Sequence, residues 1–223
     1  MKRRYLNIRE PGSLSGLSGF LKNQKYENQA KVAEALGELK TFTLHKPARK
    51  NFQRRPVICH FINDMWSSDI IVYSNNTYAY HNRNFRYILL AVDCLSKKLY
   101  LVPMKKKNAQ STHDALLYIF KKNKVWPNLL WTDEDKAYFS KTVQEMLKKY
   151  NIKLYHTFSK LKASLAERYV GRVKRVLARL FTKNGNKNWI DHLLQVQDSI
   201  NDSYNRSIKM TPNQVTKKNE GQV

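Results

Sequence analysis

Asp69 lies inside the apolar run MWSSDIIVY at 65–73, Asp133 directly follows Leu129-Leu130-Trp131 and Thr132, and Glu167 opens a long amphipathic stretch. A carboxylate within one strand and another at the C-terminal edge of a second stand where open α/β sheets hold ligands. Carboxylate oxygens are the donors that hard divalent cations require, and paired cations suit in-line attack at phosphorus. Each acid also has a plainer role available. Asp69 fits a satisfied buried polar group, Asp133 a turn residue, and Glu167 a first-turn acid favoured by the helix dipole. Asp93, beside a hairpin turn, fits such a structural role better than the other three do.

Charge names the class of partner. The 223 residues carry 41 Lys plus Arg against 17 Asp plus Glu, a net charge of +24. That excess repels itself unless a polyanion or an anionic surface offsets it. The longest apolar run, Tyr87 to Val92, is far too short to span a bilayer, and the opening MKRRYLNIRE has no apolar segment behind its basic residues. Nucleic acid is therefore expected and membrane is not. Two cysteines, Cys59 and Cys94, and six histidines without ligand-like spacing argue against a disulfide framework and against zinc. The reading is an intracellular, reduced chain.

The elements that must position the acids can be read in order. Residues 1–56 form a separate, mostly helical N-terminal segment: turn chemistry around Pro11-Gly12-Ser13, a helix over Glu27–Leu36, then the basic linker KPARKNFQRRP at 46–56. Its Arg49, Lys50, Arg54 and Arg55 suit either a solvated tether, a nuclear-import patch or contact with phosphate. Strands are predicted at Met65–Tyr73, Phe85–Leu95 and Lys98–Met104, the last two joined tightly at Ser96-Lys97. A helix follows over Asn108–Lys122, a strand at Leu129–Trp131, a helix at Lys141–Tyr150, a strand at Lys153–Thr157 and a helix from Ala163 to Phe181. A last helix over Trp189–Tyr204 presents Ile190, Leu193, Ile200 and Tyr204 inward, with Val196 or Gln197 between. A short turn of helix starts at Thr211-Pro212. The order implies a mixed sheet with helices on both faces.

The helix after Ala163 is the most legible element. Ala166, Val170, Val173, Leu177 and Leu180 make one apolar stripe at helical spacing, while Arg168, Arg172, Arg175 and Arg179 make another on the far side. Four arginines without interleaved acids repel one another, so a phosphate-bearing partner explains them better than a solvated face does. Glu167 lies between the stripes, able to reach the sheet edge while the arginines face outward.

The wording around the acids narrows the reading. WSSD at 66–69, LLAVDCLSKKLYLVPMKKK at 89–107, WTDEDKAYF at 131–139 and LKASLAERYVGRVKR at 161–175 resemble the core of retroviral-type integrases. The 33 residues between Asp133 and Glu167 match the spacing usual in that Asp–Asp–Glu superfamily. Tyr5 with Pro11-Gly12-Ser13, Thr43 to Arg49, and Tyr204 to Pro212 are more closely similar to the integrases of Maverick/Polinton-type DNA transposons.

The resemblance implies an RNase H-like α/β core over 57–206, with a five-stranded mixed sheet flanked by helices, followed by a tail at 207–223 without a chromodomain or SH3-like module. It implies that Asp69, Asp133 and Glu167 bind two Mg2+ (or Mn2+) ions for DNA 3′-end processing and strand transfer. It further implies phosphate contact by Lys174, double-stranded DNA (transposon ends and target) as partner, a homo-oligomer assembled on that DNA, and work in the nucleus.

The sequence departs from the family in places. Asp135 stands where a glycine is usual after the second acid, with Glu134 beside it, so two added carboxylates crowd the site. Gly171 stands one turn after Glu167, where retroviral relatives often carry lysine. A host-adopted DNA-binding protein that has lost the chemistry is the alternative, and a nuclease acting on RNA–DNA hybrids is a third reading.

Overall fold

The computed structural model describes residues 1–44, 57–156 and 164–223, except 8, 12, 24, 25, 27 and 134. The chain divides into two compact units, Met1–Pro56 and Val57–Val223.

In the first unit, α1 (Lys2–Leu6), α2 (Leu17–Asn23), α3 (Gln29–Gly37) and α4 (Lys40–Thr43) enclose Tyr5, Phe20, Val32, Leu36 and Phe42. Helix α3 starts two residues later than the sequence predicts, because the Asn28 side chain accepts from the Lys31 N–H and caps the first turn.

The second unit is built on β1 (Met65–Val72). Its neighbours in chain order are α5 (Asn76–His81), β2 (Tyr87–Asp93), β3 (Leu99–Met104) and α6 (Ala109–Asn123). Then come β4 (Leu129–Thr132), α7 (Lys141–Lys149), β5 (Lys153–His156), α8 (Ser164–Asn184) and α9 (Leu193–Asn201). The sheet order is β3-β2-β1-β4-β5, antiparallel from β3 to β1 and parallel from β1 to β5. This is the mixed five-stranded sheet flanked by helices that was expected. Strand alternation divides the core. Trp66, Ile70, Leu89 and Leu130 pack with α6 and α7, while Met65, Ile71, Leu90 and Trp131 pack with α8 and α9.

Edge strand β3 is closed by side chains rather than by another strand. The Gln197 Oε1 accepts from the Leu101 N–H at 2.8 Å, and Asn201 takes the Leu99 N–H at 2.8 Å while donating to the Leu99 carbonyl at 2.9 Å. An edge blunted in this way is poorly placed to recruit a foreign strand.

Three expectations change. Helix α5 has no apolar stripe and was not predicted; the Asn75 side chain caps it through the Thr77 N–H. Helix α9 ends at Asn201, so Tyr204 is 65% exposed instead of lying on its inner stripe. Residues 207–223, expected as a tail, lie in the same compact unit as the sheet: Ile208 is buried and the Glu220 carboxylate accepts from the Ile62 N–H at 2.8 Å. Apolar residues spaced along that segment supply the reason. Among the described residues no helix is long and apolar enough to cross a membrane.

Candidate functional site

Strands β1 and β4 run parallel with Ser68 opposite Thr132, and one further step along that register sets Asp69 opposite Asp133. Asp69 alternates with Met65 and Ile71, and Asp133 continues the alternation of Trp131, so both carboxylates belong to the face covered by α8. Asp69 is half-buried and its Oδ1 accepts from its neighbour Ile70 N–H at 2.7 Å. Burial first, and then the Asp133 and Asp135 carboxylates, hold Asp69 above the usual carboxylate range, against the opposing Ile70 N–H and Lys107.

The drifted stretch after Asp133 is accommodated by residues the sequence reading passed over. Asp135 Oδ2 pairs with Lys107 Nζ at 2.6 Å, and its Oδ1 accepts from the Ala137 N–H at 3.1 Å. The Asp135 N–H donates to the Asp133 carbonyl at 2.7 Å, closing a tight turn without glycine. Lys107 sits just before α6 in a run of three lysines, and nothing in that run marks the third as an ion-pair partner. On the other face of the sheet, next to Asp69 in β1, the fully buried Tyr138 hydroxyl meets Ser68 Oγ at 2.7 Å, and Ser68 Oγ donates to the Leu90 carbonyl at 2.7 Å. Burial pushes the Tyr138 phenol far up, so it stays protonated behind the strand that carries Asp69. Asp93 caps the β2–β3 turn through the Asn63 and Ser96 N–H groups, the structural role expected of it.

Glu167 behaves differently. It is exposed in the first turn of α8, immediately after residues 157–163, which lie outside the described residues. Among the described residues no three His, Cys, Asp or Glu side chains are grouped so as to hold a metal ion. Asp133 lies close enough to Asp69 to act on its titration, and Glu167 is not among the groups that do so. A third carboxylate would add repulsion at a site where Asp135 already acts on Asp69 and where Lys107 is engaged by Asp135. The two converging carboxylates fit a hard divalent cation in donor chemistry, and the raised Asp69 marks a place where positive charge is favoured.

On α8, Arg168, Lys174, Arg175 and Arg179 are exposed and Arg172 is half-buried, while Ala166, Val173 and Leu177 are buried as the stripe predicts. Tyr169 is also buried, donating to the Lys97 carbonyl at 3.0 Å. Arg49, Lys50, Arg54, Arg55 and Glu134 lie outside the described residues.

Comparison with known proteins agrees with the fold and with the sequence motifs. Residues 62–159 match the family model of the integrase core domain. An uncharacterized transposon-derived protein of Caenorhabditis elegans is 31% identical over 135 residues, covering 60% of this chain and 47% of that protein. The Pro-Pol polyprotein of simian foamy virus type 1 is 30% identical over 139 residues, covering 60% of this chain and 12% of the polyprotein. The chain thus spans about half the length of the first relative and a small part of the second. Among solved structures, the magnesium-bound catalytic core domain of HTLV-2 integrase superposes with a TM-score of 0.58 at 22% identity, over 71% of this chain and 99% of that one. The simian T-cell lymphotropic virus intasome, in complex with the PP2A regulatory subunit B56 gamma, gives 0.64 at 18% identity over 89% and 69%. The sheet and its helices thus have the RNase H-like fold of the solved integrase catalytic cores, and residues 62–159 are similar to the integrase core domain.

Asp69 yields a prediction that needs no DNA. The folded chain binds the Asp69 proton more tightly than the unfolded chain does, so ionisation costs stability as pH rises from the ordinary value of 3.8 through the raised one. In chelator-treated buffer Asp69→Asn therefore melts above the parent at neutral pH, and the gap closes below about pH 4. Added Mg2+ raises the parent's Tm by linkage and leaves the variant's unchanged. Equal melting curves at every pH, with equal responses to Mg2+, would make Asp69 a purely structural residue.

Proposed function

We propose that the protein is a transposon-derived integrase that processes DNA 3′ ends and transfers them to target DNA, with Asp69, Asp133 and Glu167 as its metal-binding and catalytic acids. The observation that carries this reading is the placing of Asp69, within β1, beside Asp133, at the end of the parallel neighbour β4, on the face that α8 covers. Two Mg2+ (or Mn2+) ions, when bound, supply Lewis-acid activation of the attacking hydroxyl and charge stabilisation at the leaving 3′-oxygen.

The chain's own residues do the rest. Asp69 and Asp133 hold and orient the metal side of the site. Glu167, in the first turn of α8, supplies the third carboxylate. Lys107 absorbs the charge of Asp135, and the Ser68–Tyr138 pair holds the strand that carries Asp69 from its other face. Kinship with Maverick/Polinton-type integrases, assembly of several copies on DNA and work in the nucleus belong to this same reading. They are supported by the sequence motifs and by the basic faces.

Joining of an oligonucleotide end into a supercoiled plasmid, dependent on Mg2+, is the direct test. An integrase-derived DNA-binding protein without chemistry is the second reading, favoured by the exposure of Glu167 and by the lack, among the described residues, of a trio grouped to hold a metal ion. It is supported by tight DNA binding with no joining. Asp135→Gly separates motif decay from accommodation. With Asp135 held by Lys107, the substitution leaves joining within about threefold of an active parent, since exposed or partly exposed ion pairs contribute little. A large gain over an inactive parent would identify a decayed enzyme.

DNA binding by the arginine stripe has its own signature. The logarithm of affinity falls with the logarithm of salt at about −0.9 per phosphate contact, and losing one contact shallows the slope by about 1. Arg172→Ala and Arg175→Ala each produce that change, to a similar degree on unrelated DNA sequences, with Lys174→Ala behaving alike. Parent-like affinity at every salt concentration would return the stripe to an ordinary solvated face.

A further inference from the structure

Where α8 meets the turn between β2 and β3 and the segment after α9, a pocket of about 310 Å³ opens to solvent. Lys97, Arg168, Arg172, Arg175 and Arg206 line it, and among the described residues no carboxylate does. None of the five takes part in an ion pair among the described residues. Five cations with no acid in one concavity repel one another strongly, and a phosphate is the group that reverses this.

The pocket is built from fixed parts. The Tyr169 hydroxyl donates to the Lys97 carbonyl at 3.0 Å and receives the Asn205 Nδ2 at 3.3 Å, tying three elements together at its floor. The Arg172 guanidinium lies near enough to the Tyr169 hydroxyl to oppose the upward push of burial on its pKa. Asn205 N–H donates to the Met210 carbonyl at 3.0 Å, its Oδ1 accepts from the Ser207 N–H at 3.0 Å, and buried Ile208 anchors the turn that carries Arg206. Tyr204, 65% exposed, stands on the same wall with its ring available.

Size and chemistry together select a ligand. The volume exceeds what one phosphate needs and is too small for a base pair, lying at the lower end of small-molecule pockets. An aromatic ring beside a guanidinium cluster matches the stacking and charge of single-stranded nucleotide recognition. A paired base has its faces covered by its neighbours and cannot reach Tyr204.

We propose that this pocket receives one unpaired nucleotide at a DNA strand end, its phosphate among Arg168, Arg172 and Arg206 and its base against Tyr204. The proposal rests on the reading of the outer face of α8 as a DNA surface. It adds a preference for frayed or overhanging ends that the exposed arginine stripe alone does not give.

Fluorescence anisotropy with the full chain tests it, using a blunt duplex and the same duplex carrying a short unpaired overhang. The overhang duplex binds about tenfold tighter, as one stacked base provides. Arg206→Ala and Tyr204→Ala each abolish that preference while blunt-duplex affinity moves by less than about threefold. Tyr204→Phe keeps the ring and the preference. Both side chains are exposed, and unchanged melting of each variant verifies the fold. Equal binding of the two duplexes by the parent overturns the pocket and leaves the DNA surface standing, as does an Arg206→Ala variant that loses both ligands in the same ratio. A parent that binds neither duplex at any salt concentration overturns the pocket and the DNA surface together.

Discussion

Asp133→Asn lowers Mg2+-dependent end joining by at least about a thousandfold, the scale on which a metal-holding carboxylate acts in phosphoryl transfer. Asparagine keeps the size of the side chain and one oxygen acceptor but removes the charge that competes for a divalent ion. The position is tolerant of that exchange structurally, because β4 is fixed by its register with β1 and β5 and by the burial of Leu130, Trp131 and Thr132. The variant therefore folds, and it binds DNA with the parent's salt dependence. Glu167→Gln supplies the sharper comparison. A loss as deep as that of Asp133→Asn means that the Glu167 carboxylate acts together with Asp69 and Asp133 in the reaction. Joining at the parent's rate would remove Glu167 from the catalytic set and leave a site of two acids.

The sheet and its two helical layers were legible because periodicity and burial agree at each element. Val143, Met146 and Leu147 on α7, and Ala115, Leu116, Ile119 and Phe120 on α6, are buried where their spacing puts them. The places of Asp69 and Asp133 in the sheet were legible for the same reason, since the strands that carry them are marked by apolar runs. What escaped notice depends on contacts between residues distant in sequence. Lys107 is one of three adjacent lysines, and only the folded turn after Asp133 distinguishes it. Helix α5 has buried Ala79 but no apolar stripe, so its identity comes from its cap and from what Asn82 does next. Arg206 sits in a short polar segment and gains meaning only when the turn brings it beside α8.

Asn82→Ala destabilises the protein by about 3 kcal/mol or more, because several buried backbone groups lose their partner at once. Asn82 is fully buried, and its amide satisfies two segments more than a hundred residues apart. Its Nδ2 donates to the Tyr78 carbonyl at 2.7 Å and the Lys187 carbonyl at 2.8 Å, and its Oδ1 accepts from the Trp189 N–H at 2.6 Å and the Ile190 N–H at 2.9 Å. These bonds seat the connection between α8 and α9 against α5. They also hold Trp189, fully buried, against Tyr73 at 6.0 Å between ring centroids, with Tyr78 and Phe181 completing the cluster. Burial, and then Tyr78, pushes the Tyr73 phenol up to about 12, as expected of a hydroxyl shielded by such packing. Alanine removes all four bonds and leaves a void beside the cluster. Asn82→Asp keeps the two acceptor bonds but gives up both donors and places a charge in a buried site, where desolvation raises its pKa. Its penalty is therefore smallest at low pH, where the protonated acid can still donate, and grows as pH rises through the raised value. Chemical denaturation of the parent and both variants at acid and neutral pH reads these differences. A loss under about 1 kcal/mol for Asn82→Ala would mean that water replaces the amide, and that the α8–α9 connection is seated by its aromatic cluster instead.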